Sequence, residues 1–186
     1  LGESEGRPPA SGSETRHDRM KYFIETYGCQ MNVHDSERMA GLLEEAGYES
    51  ACDASEADVV VINTCSVRER AEVKLYSRLG EIRQASAETG RTPVVAVAGC
   101  VAQQEAGALL GRADMIDVIV GTQSLKQLPA LVAAAIEDGA DTLPRIDVNA
   151  CDDVSFPLGV ARRYDPVKAY VTIIEGCNEF CSFCVV

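Results

Sequence analysis

The chain has 186 residues, 46% of them hydrophobic, enough for one compact core and part of a second. A net charge of −12 and a pI near 4.6 exclude a bulk binder of RNA or of membrane surfaces, because phosphates repel carboxylates. Eight cysteines, in a chain with no basic-plus-apolar leader and too long for a small stapled scaffold, point to metal binding in the cytosol rather than to disulfides. No apolar run approaches the length of a membrane span.

Residues 1–20 are rich in Gly, Ser, Pro, Glu and Arg and read as a disordered tail. From Lys21 the pattern alternates strand and helix. Lys21–Tyr27 is a short strand ending at Gly28-Cys29. Val33–Ala46 is an amphipathic helix with Val33, Met39, Leu42, Leu43 and Ala46 on its apolar face, stopped by Gly47. A small strand fits within residues 48–54. Asp58–Asn63 is a buried-type strand ending at Thr64-Cys65. Ser66-Val67-Arg68-Glu69 is a capping-box sequence, opening a helix that runs to about Thr89. Pro93–Ala98 is a second buried-type strand, ending at Gly99-Cys100. A helix over residues 102–110, a strand over 117–120 and a helix over 124–137 complete the series. Strands alternating with helices predict a parallel sheet. No glycine fingerprint of the dinucleotide type is present.

Residues 140–166 break this rhythm with Pro144, Pro157 and Pro166 and read as a linker between an α/β domain over 21–139 and a new unit over 167–186. Val167–Ile174 is predicted as the strand that opens that unit and feeds into Cys177. The chain begins without Met and ends two residues after Cys184, so it is expected to be a piece of a longer protein.

Cys177, Cys181 and Cys184 stand at spacing C-x3-C-x2-C. Thiolates are soft ligands, suited to iron–sulfur clusters, zinc or copper(I). Three of them in one loop can hold three irons of a cubane cluster and leave the fourth iron open. A structural zinc site wants a fourth Cys or His nearby, and none follows before Val186. This pattern, with Phe183 before the third cysteine, resembles the cluster loop of the radical S-adenosylmethionine enzymes. In that superfamily the loop follows the first strand of a (β/α) barrel, and the open iron chelates S-adenosylmethionine.

Cys29, Cys65 and Cys100 each end a strand and precede a helix, at separations of 36 and 35 residues, one strand–helix unit apiece. In a parallel sheet all strand C-termini share one edge, where open α/β folds bind ligands. Three cysteines there can converge, and helix N-termini direct N–H groups at the same place. A second three-cysteine cluster with one open iron is therefore expected. Cys52 and Cys151 occupy no matched position and read as ordinary cysteines; His34 reads as a solvated histidine at a helix start.

At these residues the likeness sharpens. The segment Thr26-Tyr27-Gly28-Cys29-Gln30-Met31-Asn32-Val33-His34-Asp35-Ser36-Glu37 resembles the opening motif of the radical S-adenosylmethionine methylthiotransferase family. Asn63-Thr64-Cys65-Ser66-Val67-Arg68-Glu69 and Gly99-Cys100-Val101-Ala102-Gln103-Gln104 are similar to its second and third motifs, and Gly176–Val186 to its radical segment. The resemblance runs from about Lys21 to the end. It implies two [4Fe–4S] clusters, one on Cys29, Cys65 and Cys100 and one on Cys177, Cys181 and Cys184, with S-adenosylmethionine on the second. It also implies a methylthiotransferase domain followed by the start of a truncated radical barrel, with no turnover by this chain alone. Gly28-Cys29-Gln30-Met31-Asn32 and Cys65-Ser66-Val67-Arg68-Glu69 favour the branch that modifies carbon 2 of isopentenyladenosine beside the tRNA anticodon. The implied partners are that anticodon loop and a reducing protein such as a flavodoxin, for a cytoplasmic monomer. Methylthiotransfer to threonylcarbamoyl-adenosine tRNA or a ribosomal protein, an iron–sulfur carrier or scaffold, and a zinc-binding module are the competing readings.

Overall fold

The computed structural model describes residues 20–66, 69–139, 143–149, 159–173 and 181–182. Six strands form one sheet in the order β2-β1-β3-β4-β5-β6: β1 Lys21–Tyr27, β2 Glu49–Ser50, β3 Val59–Thr64, β4 Val94–Ala98, β5 Val118–Val120 and β6 Arg145–Asp147. All five pairings are parallel. The helices are α1 Gln30–Glu45, α2 Glu69–Thr89, α3 Cys100–Arg112 and α4 Leu128–Asp138.

The central strands are apolar on both faces because both faces are covered. Val59, Val61, Ala96, Ala98, Val118 and Val120 pack with Met39 and Leu43 of α1 and Leu128 and Val132 of α4. Their alternating neighbours Val60, Ile62, Val95, Val97 and Ile119 pack with Leu75 and Leu79 of α2 and Val101 and Leu109 of α3. Each fully buried Val, Leu or Ile contributes roughly 1.5–3 kcal/mol, so the sheet centre dominates stability.

Helix α4 starts later than its sequence suggested. Residues 125–127 form a 3₁₀ turn, and the α-helix begins at Leu128 with Pro129 in its first turn, where the missing N–H costs no helical bond. Helices α1 and α3 start earlier, at Gln30 and Cys100. The capping box of α2 includes Val67 and Arg68, which lie outside the described residues.

Two expectations are corrected. The stretch read as a linker contains β6, which pairs Arg145, Ile146 and Asp147 with Val118, Ile119 and Val120. Three residues with a charge at each end carry no strand signature; the backbone ladder and the Gly121 N–H bond to Asp147 O, 2.8 Å, hold them. Residues 167–173, read as a strand, form no ladder, and Val167, Val171 and Ile173 are exposed. Their alternation meets no neighbouring strand among the described residues.

The segment before them docks on α1. Val160 is buried, and its carbonyl oxygen lies 1.5 Å from where a Cβ on Gly41 would stand, so only glycine lets the two backbones meet. The Arg162 N–H donates to Glu37 O at 2.8 Å, and its guanidinium pairs with Glu44.

Asp117 sits between β4 and β5. Its carboxylate accepts from the Val95 N–H at 2.7 Å, yet burial pushes its pKa above the ordinary value. A carboxyl that holds its proton more tightly when folded loses stability as pH rises through the folded pKa. Asp117→Asn keeps an acceptor for Val95 without the buried charge. Urea unfolding is expected to find it at least as stable as the parent at neutral pH, with a smaller loss of stability on going from acid to neutral pH.

Candidate metal centre

The C-terminal ends of β1, β3 and β4 lie side by side. Thr26 pairs with Asn63 and Asn63 with Ala98; the Cys65 N–H donates to Tyr27 O at 3.0 Å. Just beyond these ends stand Cys29 at the N-cap of α1, Cys65 after β3 and Cys100 as the first residue of α3. A Cβ on Gly28 would lie 3.0 Å from the Cys65 Cβ. The Cys100 thiol is close enough to Cys65 and Cys29 for both to raise its pKa. The fold thus brings Cys29, Cys65 and Cys100 to one edge of the sheet, all three as free thiols.

Burial is the largest cause holding the Cys100 thiol above its ordinary pKa. Cys65, Asp35 and Cys29 act in the same direction, and the Ser66 N–H opposes them. A thiol kept protonated in this way must surrender its proton to become a ligand. Against that stand the N-termini of α1 and α3, whose first turns carry no acidic residue and whose leading N–H groups have no partner within the helix, an arrangement that favours negative sulfur.

Among the described residues, no three His, Cys, Asp or Glu side chains stand as a group able to hold a metal ion. Three thiols gathered from separate loops are of the soft donor type that iron–sulfur clusters take. Thr64, fully buried beside Cys65, has a hydroxyl with no hydrogen-bond partner among the described residues.

Sequence reasoning passed over two residues here. Asn32 and Asn63 are each 0% exposed. Asn32 Nδ2 donates to Asn63 Oδ1 at 3.0 Å, while Asn63 Nδ2 donates to Asn32 O at 2.7 Å and to Ser36 Oγ at 2.9 Å. Asn32 Oδ1 accepts from the Cys29 N–H at 3.3 Å and from its thiol at 3.6 Å. The available signal was a polar Asn closing the apolar run of β3, and another placed three residues after a helix-capping cysteine.

His34 corrects its reading as solvated. It is 6% exposed, with Nδ1 3.6 Å from Glu37 Oε2. Burial first, then Arg38, lower its pKa, against the pull of Glu37. Cys181 and Cys52 are exposed and free; Cys177, Cys184 and Cys151 lie outside the described residues.

A family model described as "Uncharacterized protein family UPF0004" matches residues 21–121. The chain is 41% identical over 170 residues to the tRNA-2-methylthio-N(6)-dimethylallyladenosine synthase of Erythrobacter litoralis (strain HTCC2594), covering 91% of this chain and 37% of that protein. It is 44% identical over 173 residues to the synthase of the same name from Maricaulis maris (strain MCS10), covering 90% of this chain and 37% of that protein. The chain therefore spans little more than a third of the length of these relatives.

Proposed function

Because this chain belongs to the UPF0004 family, the amino-terminal domain of the methylthiotransferases, we propose that it is the N-terminal part of an enzyme that methylthiolates carbon 2 of N6-isopentenyladenosine beside the tRNA anticodon. The observation that carries the reading is the meeting of Cys29, Cys65 and Cys100 at the ends of three adjacent parallel strands. In this reading those thiols hold one [4Fe–4S] cluster by three irons, and Cys177, Cys181 and Cys184 hold a second that binds S-adenosylmethionine. When bound, the two clusters and S-adenosylmethionine supply the radical and the sulfur-group chemistry that an unactivated aromatic C–H requires.

The chain's own residues have narrower tasks. Cys29, Cys65 and Cys100 would give up their thiol protons to hold the first cluster, near the N-termini of α1 and α3. Cys177, Cys181 and Cys184 gather the second from a single loop. With a net charge of −12, this chain leaves most of the attraction for tRNA phosphates to surfaces beyond it. The target adenine must leave its stack to be reached. A reducing protein such as a flavodoxin and a cytoplasmic monomer complete the proposal.

The test is nucleoside analysis of tRNA from cells lacking the gene. Loss of the 2-methylthio mark with accumulation of isopentenyladenosine is the expected result. An unchanged mark overturns the substrate assignment.

A further inference from the structure

Asn32 and Asn63 form a sealed amide pair that touches the loops of all three cysteines. Asn32 bonds the backbone and faces the sulfur of Cys29. Asn63 stands two residues before Cys65 and bonds back to α1 through Asn32 O and Ser36 Oγ. Two glycines let the flanking loops lie directly on the amides. A Cβ on Gly28 would stand 2.2 Å from Asn32 Oδ1, and one on Gly99 would stand 2.3 Å from Asn63 Oδ1 and 3.1 Å from Asn32 Nδ2.

Burying two amides costs free energy unless their polar groups are bonded. An apolar pair would close the same space at lower cost. What amides add is direction: each bond fixes one loop relative to another. From this geometry, and resting on the function proposed above, we infer that Asn32 and Asn63 are positioning residues that set the mutual placement of the Cys29, Cys65 and Cys100 sulfurs for a cluster. Ser36 braces the pair from α1 and passes the bond on to Thr26 at 2.7 Å.

The experiment uses the protein with Cys177, Cys181 and Cys184 replaced by alanine, so that only the first trio can ligate. It is reconstituted without oxygen using ferrous iron and sulfide. Asn32→Ala and Asn63→Ala are compared with Leu43→Ala, a buried α1 substitution in the apolar core. Folding is followed by circular dichroism, and the reduced cluster by electron paramagnetic resonance.

The expected result is about a tenfold or greater loss of cluster affinity in both Asn variants, the range seen when residues supporting a metal ligand are removed. The spectrum of any residual cluster is expected to shift. Leu43→Ala is expected to lose stability yet keep the parental spectrum. Folded Asn variants that load like the parent and give its spectrum overturn the inference. Should the alanine variants not fold, Ser36→Ala decides: it leaves both amides in place but loosens Asn63, and a spectrum identical to the parent's overturns the inference. If the parent itself takes up no cluster, the functional reading falls, and this inference with it.

Discussion

Cys65→Ala is expected to halve the iron and sulfide retained after anaerobic reconstitution of the protein with all six motif cysteines present. Cys65 is buried, so removing its sulfur costs about 1 kcal/mol of packing and leaves the sheet folded. The loss at the metal is far larger. In the proposed site three thiols would hold three of the four irons of a cubane core; two would leave half of its irons open to solvent and oxygen. Circular dichroism is expected to be unchanged while iron and sulfide fall together. Cys52→Ala serves as the comparison, because Cys52 is an exposed free cysteine and should alter neither measurement. Full retention of iron by Cys65→Ala would remove this residue from the site.

Gly99→Ala is expected to destabilise the fold by about 3 kcal/mol or more, a large share of the ~5–15 kcal/mol that holds a domain together. Gly99 has φ +92°, a backbone conformation that costs any other residue about 1–3 kcal/mol. An added methyl would also lie 2.3 Å from Asn63 Oδ1 and 2.6 Å from Thr64 O. The second contact is with backbone and has no rotamer to yield. Gly90→Ala separates the two contributions, since Gly90 has φ +70° and open space around its Cβ position. Urea unfolding should show a loss of about 1 kcal/mol there and a markedly lower midpoint for Gly99→Ala. Equal midpoints would show that the crowding around Gly99 carries no cost.

These two positions illustrate what was legible in the sequence. The strands β3 and β4 announced themselves because strands buried on both faces need uninterrupted Val, Ile and Ala. The cysteines at their ends followed from that, since a parallel sheet puts like ends together. The start of α1 was harder. Its apolar count suggested that Val33 faces inward, but Val33 is exposed while Asn32, His34, Asp35 and Glu37 are buried. Hydrophobic periodicity cannot detect a helix face that is buried for its hydrogen bonds. The same limit hid Asn63, a polar residue within an apolar strand, and it made His34 look solvated. Strand β6 was illegible for another reason: at the sheet's edge, three residues gain their place from backbone pairing, which side chains do not advertise.

The seat of Val160 and Arg162 on α1 acts as a leash. Fifteen residues run from Arg162 to Cys177, and a fully drawn-out chain advances about 3.5 Å per residue. Chain connectivity alone therefore caps the separation of Arg162 and Cys177 at about 50 Å. Slack inserted between those two points would raise that cap and lower the effective concentration of one end at the other, without altering a single bond at either end.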